Sequence, residues 1–369
     1  MIDQSGIAEQ ITRRKGKEEV TGSPVDGEIR GMPFAPELRR TRRVVLALTT
    51  AVAASACSAG ATDTPPTGTP APIPPLTYVA GQSYFGRSGY VEYVAGNAPV
   101  ILTASHGGAL SPSSIPDRTA GACGGSATTV TDANTQELIR SMQARYAARF
   151  GTVPHVVISH LARRKLDPNR LQPEAACGNA EAAQALSEWH SFIDAAKSAV
   201  LAGHGKGWYM DMHGHGHAVQ RLELGYLVSG AQLDGNDATL DASSTIENGS
   251  SMLTLSLSSP LSFATLLRGP ASLGTLYAAR GFPAVPSSSD PRPNGAEYFN
   301  GGDNTRRHSC GSAAGPLGGT TGGLICGVQI EANFVGVRDN ATNRDRFGDV
   351  TAQVLEQFLR VHWGLQLAP

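Results

Sequence analysis

Residues 207–217 read GWYMDMHGHGH, and no other stretch constrains the fold as tightly. Trp208, Met210 and Met212 alternate with Tyr209, Asp211 and His213, the period-2 pattern of a β-strand. Glycine breaks the strand as soon as His213 has been presented. A strand that ends in Asp-x-His and opens into a Gly/His loop suits a borderline-soft divalent metal, most often zinc. The plainer reading is a polar turn after a core strand, because a His-rich tract alone is only a compositional hint.

The rest of the chain supplies the frame for such a strand. Further strands are expected at 90–94, 99–105, 153–159, 222–229, 253–257, 284–285 and 325–331. Helices are expected at 131–150, 180–201, 273–280 and 343–363. In the first of these, Leu138, Met142, Tyr146 and Phe150 share one stripe, with Thr131 or Asp132 as N-cap. Strands alternating with helices imply an α/β fold: three layers, α/β/α, around a mixed, largely parallel sheet covered on both faces. One domain over 78–369 accounts for all of these signals.

Upstream the composition changes. Residues 1–31 precede an internal Met32, lack apolar periodicity and are expected to be disordered. Arg39, Arg40, Arg42 and Arg43 then precede an apolar run, 44–56, with the layout of a bacterial export signal. That run is shorter than the roughly 20 residues a membrane-spanning helix needs. Ala54-Ser-Ala-Cys57 has the form of a lipobox in which Cys57 becomes the lipidated N-terminus, although Ala54 replaces the usual Leu. A plain secretory cleavage site and twin-arginine export are the alternatives. The Thr/Pro/Ala-rich segment 58–77 reads as a tether. Localisation at the cell envelope follows as an expectation, with membrane contact through a lipid anchor or an uncleaved signal.

Cysteine usage agrees with export. Of five cysteines, removing Cys57 leaves Cys123, Cys177, Cys310 and Cys326. An even number in an exported chain points to disulfides. Cys310 and Cys326 flank a Gly-rich segment and are expected to close it, which leaves Cys123 with Cys177. A net charge of −1 gives no footprint for nucleic acid.

Placed on the expected elements, the polar residues gather at strand ends. His106 follows the 99–105 strand in Ser-His-Gly-Gly, and Arg163, Asn169 and Arg170 follow 153–159. His213 ends its strand, and Glu331 ends 325–331. The C-terminal edge of an open α/β sheet is where ligands bind. His106 and His213 are therefore candidate metal ligands, and a carboxylate would complete a His₂-carboxylate set. Asp132 is the chosen carboxylate, with Asp117 and Glu137 as competitors. The basic segment 163–170 is a solvated loop on its plainest reading, yet its Arg forks suit a carboxylate. Glu331 in an apolar strand needs a partner or a function, and beside a metal it would serve as general base.

Six segments occur in order: Ser105-His106-Gly107-Gly108, Asp132-x₄-Glu137-Leu138, Arg163-x₃-Asp167-x-Asn169-Arg170, Asp211-Met-His213, Gly301-Gly302-x₂-Thr305-Arg306, and Gly327-Val-Gln-Ile-Glu331. Together they resemble the N-formylglutamate amidohydrolase family, a relative of zinc carboxypeptidases and aspartoacylases, over about residues 99–362. The resemblance implies a zinc-carboxypeptidase-like fold and one zinc ion held by His106, a carboxylate and His213. It implies Asn169 and Arg170 on a substrate carboxylate, Arg163 there or on the scissile carbonyl, Glu331 as general base and Arg306 in the substrate pocket. The chain departs from the wider His-x-x-Glu pattern, since Ala109 stands where the glutamate would be. His215 and His217 are additional, and could replace or assist a ligand.

The expected activity is zinc-dependent amide hydrolysis on an N-acyl amino acid or a small or γ-linked peptide bearing a carboxylate. A zinc esterase, and a zinc- or anion-binding surface lipoprotein without catalysis, are the rivals.

Overall fold

The computed structural model describes residues 77–367 except 126 and 312–322. The expected export signal, Cys57 and all of the tether but Thr77 lie outside the described residues. Eight strands form one sheet: β1 (Ser83–Phe85), β2 (Val91–Val94), β3 (Val100–Ala104), β4 (His155–Ser159), β5 (Gly207–Gly214), β6 (Leu222–Gly225), β7 (Ala284–Val285) and β8 (Ile325–Ala332). Their order is β1-β2-β4-β3-β5-β8-β6-β7. The centre, β4-β3-β5-β8, is parallel. β2 joins it antiparallel on one side and β6 antiparallel on the other. The fold is thus α/β with a mixed, largely parallel sheet.

Parallel strands are buried on both faces, and their sequences show it. All five residues of β3 and of β4, and all eight of β8, are buried. Val100, Leu102 and Ala104 of β3 point into the same core as Trp208, Met210 and Met212 of β5. Helices α1 (Thr135–Phe150) and α10 (Ala341–Phe358) cover that face, through Leu138, Met142, Phe347 and Leu355. Ile101 and Tyr209 point the other way, under α2 (Ala180–His204), whose Trp189, Ile193 and Val200 are fully buried. Asp211 and His213 share the Tyr209 side of β5, so the polar end of the strand emerges beyond the α2 face.

Between β6 and β7 lie short helices: α3 (Gly230–Leu233), α4 (Asp237–Ala242), α5 (Ser244–Gly249), α6 (Leu253–Ser258), α7 (Phe263–Arg268) and α8 (Leu273–Ala278). The strand expected at 253–257 is therefore α6. Leu253 and Leu255 are buried while Leu257 is 70% exposed, so the every-second-leucine pattern is not one sheet face. Leucine is a strong helix former and the run lacks valine and isoleucine. The strand expected through 229 stops at Gly225, because Leu227 adopts φ 65° and Ser229 opens α3 with a capping box. Helix α1 starts at Thr135, not near 131: Asn134 before it is left-handed, and the Asp132 side chain is used elsewhere. Helix α9 (Asp303–His308) precedes β8.

The two expected disulfides, Cys123–Cys177 and Cys310–Cys326, are both formed. No helix among the described residues is long and apolar enough to cross a membrane.

Trp208 is fully buried and meets Phe358 edge-on, with ring centroids 4.9 Å apart, so it clamps β5 to α10. Trp208→Ala should lower the unfolding free energy by about 3–5 kcal/mol. Denaturant midpoints at unchanged slope measure this, and a change near zero would mean that α10 does not depend on that contact.

Candidate metal centre

The parallel register aligns three strand ends, those of β3, β5 and β8. Asp211 lies opposite Thr103 across β3–β5, and His213 lies opposite Glu331 across β5–β8. Just past β3, Ser105 and His106 are buried. The carbonyl of His106 accepts the Asp132 N–H at 3.0 Å, which hooks the segment before α1 onto the end of β3. Asp132 is thereby turned away from capping the helix.

Its Oδ2 meets His106 Nδ1 at 3.3 Å and His213 Nδ1 at 3.2 Å. The three residues form a buried group with ligand atoms all within 4.8 Å of one another. The outer ring nitrogens fix which atoms face inward. His106 Nε2 donates to Asp167 Oδ1 at 2.6 Å, and His213 Nε2 donates to Asp211 Oδ2 at 2.8 Å. Asp211 is itself held by the Thr103 hydroxyl at 2.6 Å, which in turn accepts from the Tyr209 hydroxyl at 2.9 Å. With Nε2 protonated, each Nδ1 presents a lone pair. Two lone pairs and a carboxylate oxygen then face one point, an arrangement that repels itself unless a cation sits among them. Carboxylates behind metal-binding histidines fix the tautomer and raise ligand basicity in the same way. The donor set, two imidazoles and one carboxylate, fits zinc with a position left open.

Charge in the site follows from the same contacts. Burial works against a charged His213, but Asp211, Asp132 and Glu331 outweigh it and hold its pKa well above the ordinary value. Burial likewise opposes ionised Asp132, yet His106 and His213 keep its carboxyl well below the usual range. Asp167 and Asp211 are lowered too, against burial, by the histidines they hold. Glu331 behaves in the opposite sense: burial, with Asp132 and Glu223 nearby, pushes it up to about 8 although His213 pulls down.

Two buried arginines, neither singled out by the sequence, lock the loops around the centre. Arg338 donates to the carbonyls of Ala133, His215 and Ala332, the segments leading into α1 and out of β5 and β8. A Cβ at position 214 would run into its guanidinium, which explains the glycine directly after His213. Arg118 donates to Thr128, Arg163 and Glu174 carbonyls and lies 3.7 Å from Asp167. Its neighbourhood is the one the Cys123–Cys177 bond closes. Gln329 was also missed; its Nε2 donates to Glu331 Oε1 at 2.9 Å. Its place one pleat before Glu331 was the available signal.

The sequence candidates divide. His106, Asp132 and His213 converge, with Glu331 across the strand from His213. Of the competing carboxylates, Asp117 is bound by Lys165 at 2.7 Å on the surface, and Glu137 is outside the converging group. Arg163 lies alongside: Nε donates to Asp167 at 3.0 Å, and NH1 is 3.6 Å from Asp132. Asn169 is buried behind His213, with Nδ2 3.4 Å from His213 Nε2 and Oδ1 accepting the Asn304 N–H at 2.8 Å. Its amide is thus committed to the protein. Arg170 donates to the Asn169 carbonyl and lines a separate cavity of about 370 Å³, with Gln172, His190, Asp303 and Arg307. Arg306 is half-exposed near Asp303. Gly108 touches the β4 exit, bridging Ala162, so its missing side chain serves loop packing.

No protein-family model matches the chain, and no curated protein matches it in sequence. Among solved structures, it is similar to gene product Atu2144 from Agrobacterium tumefaciens: 14% identity, TM-score 0.41, 74% of this chain and 95% of that one. It is also similar to an N-formylglutamate amidohydrolase from Ralstonia eutropha: 11% identity, TM-score 0.40, 73% of this chain and 98% of that one. Likenesses this faint carry no weight for the chemistry, which rests on the site.

Asp211→Asn should weaken divalent-metal affinity about 10–100-fold with the fold intact. Competition with a chromogenic chelator reads this, and unchanged affinity would remove Asp211 from the centre. A second expectation concerns the metal-free chain. Unfolded Glu331 ionises near 4.5 and folded Glu331 near 8, so the stability it contributes is present below about 4.5 and lost as pH rises through 8. Glu331→Gln should therefore raise the Tm of chelator-treated protein at alkaline pH and change it little below pH 4.5. Equal shifts at both ends would contradict the raised pKa.

Proposed function

We propose that the chain is a zinc-dependent hydrolase of amide bonds, exported to the cell envelope and tethered there by a lipid anchor at Cys57. One observation carries the reading. Three ligand atoms, His106 Nδ1, Asp132 Oδ2 and His213 Nδ1, converge, and the Glu331 carboxyl stands across the strand from one of them. A pure metal store has no use for a further buried carboxyl beside its ligands. The two disulfides support an oxidising compartment.

One zinc ion, held by His106, Asp132 and His213, supplies Lewis acidity for the scissile carbonyl and the attacking water. Glu331 takes the proton of that water. Burial raises this carboxyl in the metal-free chain, and a zinc ion beside it would favour the ionised form that a base needs. Gln329 orients its Oε1. Arg163, pinned through Nε by Asp167, brings a guanidinium nitrogen to 3.6 Å from Asp132. It is assigned the substrate carboxylate or the developing charge on the carbonyl oxygen. Asn169 acts from behind His213, and Arg170 and Arg306 fall outside this minimal set. The substrate class is an N-acyl amino acid or a small or γ-linked peptide with a free carboxylate.

Glu331→Gln should lower kcat at least about 10²-fold with zinc still bound. His106→Ala and His213→Ala should each lose the zinc. Metal analysis alongside turnover of N-formyl and N-acetyl amino acids tests both, and full activity in Glu331→Gln would sink the assignment. Rates on matched amide and ester substrates separate an amidohydrolase from an esterase.

A further inference from the structure

The loop after β5 carries two histidines that the centre does not use. His215 is buried and its ring is spent inside the loop. Nε2 donates to the Arg221 carbonyl at 2.8 Å, and Nδ1 accepts the His217 N–H at 3.1 Å. His217 is different. Its Nδ1 meets Glu223 Oε1 at 2.7 Å, while its Nε2 has no hydrogen-bond partner among the described residues. The side chain is 14% exposed, and its ring stacks on Phe299 with centroids 4.6 Å apart. Glu223 is fully buried, and its second oxygen accepts the Phe299 N–H at 2.8 Å. A buried carboxylate that fixes Nδ1–H and leaves Nε2 free is the arrangement by which proteins prepare a histidine for proton transfer.

The dyad also stands in the right place. Glu223 is directly opposite Glu331 across β6–β8, and Glu331 is directly opposite His213 across β5–β8. The three acidic and imidazole groups therefore form one row along the sheet edge, with Glu331 in the middle. Arg338 holds the His215 carbonyl, so the loop that bears His217 is fastened to the same scaffold as Asp132.

We propose that His217, held by Glu223, is the proton donor to the leaving amine in the hydrolysis described above. The proposal rests on that reading and divides its labour: Glu331 serves the attacking water, and His217 serves the leaving group. His217 enters as imidazolium, with Nδ1–H on Glu223. As the C–N bond breaks, its electron pair passes to nitrogen, which takes the Nε2 proton. The imidazole is left neutral with Nδ1–H in place. Glu331 returns the water's proton to solvent, and solvent reprotonates Nε2 before the next cycle.

A second reading of the same residues is a further cation among His215, His217 and Glu223, whose facing atoms are close enough to hold one. The His217 amide on His215 Nδ1 opposes it, because that lone pair is already used.

The experiment compares the zinc-loaded full chain with His217→Ala, His217→Gln and Glu223→Gln. Two substrates share one acyl group: the best-hydrolysed N-formyl or N-acetyl amino acid, and the corresponding p-nitrophenyl ester. p-Nitrophenolate departs without a proton. The proposal expects kcat on the amide to fall about 10²–10⁴-fold, kcat on the ester to be unchanged, and zinc content to stay at one per chain. Equal losses on both substrates, no loss on either, or a second bound metal that the variants lose would overturn it. A wild-type enzyme inert on both would overturn the hydrolase reading and this role together. An active wild type with equal losses overturns the dyad alone.

Discussion

Two imidazole nitrogens and a carboxylate oxygen converge on one point inside the protein, and much of the surrounding structure keeps them aimed. His106 Nδ1, Asp132 Oδ2 and His213 Nδ1 cannot relax apart, because the opposite nitrogen of each ring is tied to a buried carboxylate. Those carboxylates are tied in turn, Asp211 by Thr103 and Asp167 by Arg163. A proton can serve as the cation, which is why His213 holds one so firmly. A divalent ion held there would compete with that proton, which would link metal affinity to protonation.

The sheet makes that convergence affordable in strain. Parallel strands in register bring the ends of β3, β5 and β8 side by side, and the short alternation of Asp211 and His213 puts both on the α2 side. Arg338 adds a further tie by gathering three carbonyls from three separate segments. A buried guanidinium satisfied by backbone carbonyls alone leaves its charge unneutralised; burial lowers the Arg338 pKa, and Asp132 and Glu331 oppose that only in part. Structural support and site electrostatics are thus the same contacts.

Much of this was legible in the chain. The period-2 pattern of β5 marks a buried strand, and the pattern places His106, His213 and Glu331 at the ends of β3, β5 and β8, where the structure has them. Even cysteine number and the Gly-rich spacing gave both disulfides. The failures have physical causes. Leucine at every second position read as a strand at 253–257, but leucine helices form readily when only two of three leucines are buried. Asn169 and Arg170, read together as a substrate clamp, are placed apart by the loop, Asn169 toward His213 and Arg170 toward a separate cavity.

By itself the sequence determined the α/β alternation, the strand ends that bear the candidate site residues and the pair of histidines, because hydrophobic period and residue type are local properties. Only the tertiary structure separates Asp132, which it brings to His106 and His213, from Asp117 and Glu137, since that placement depends on a backbone hydrogen bond from Asp132 to His106 across 26 residues. It also decided the two extra histidines of 207–217: His215 is consumed by its own loop, while His217 is handed to Glu223 by the pairing of β6 with β8. Strand pairing is a long-range choice, and no spacing within the tract encodes it.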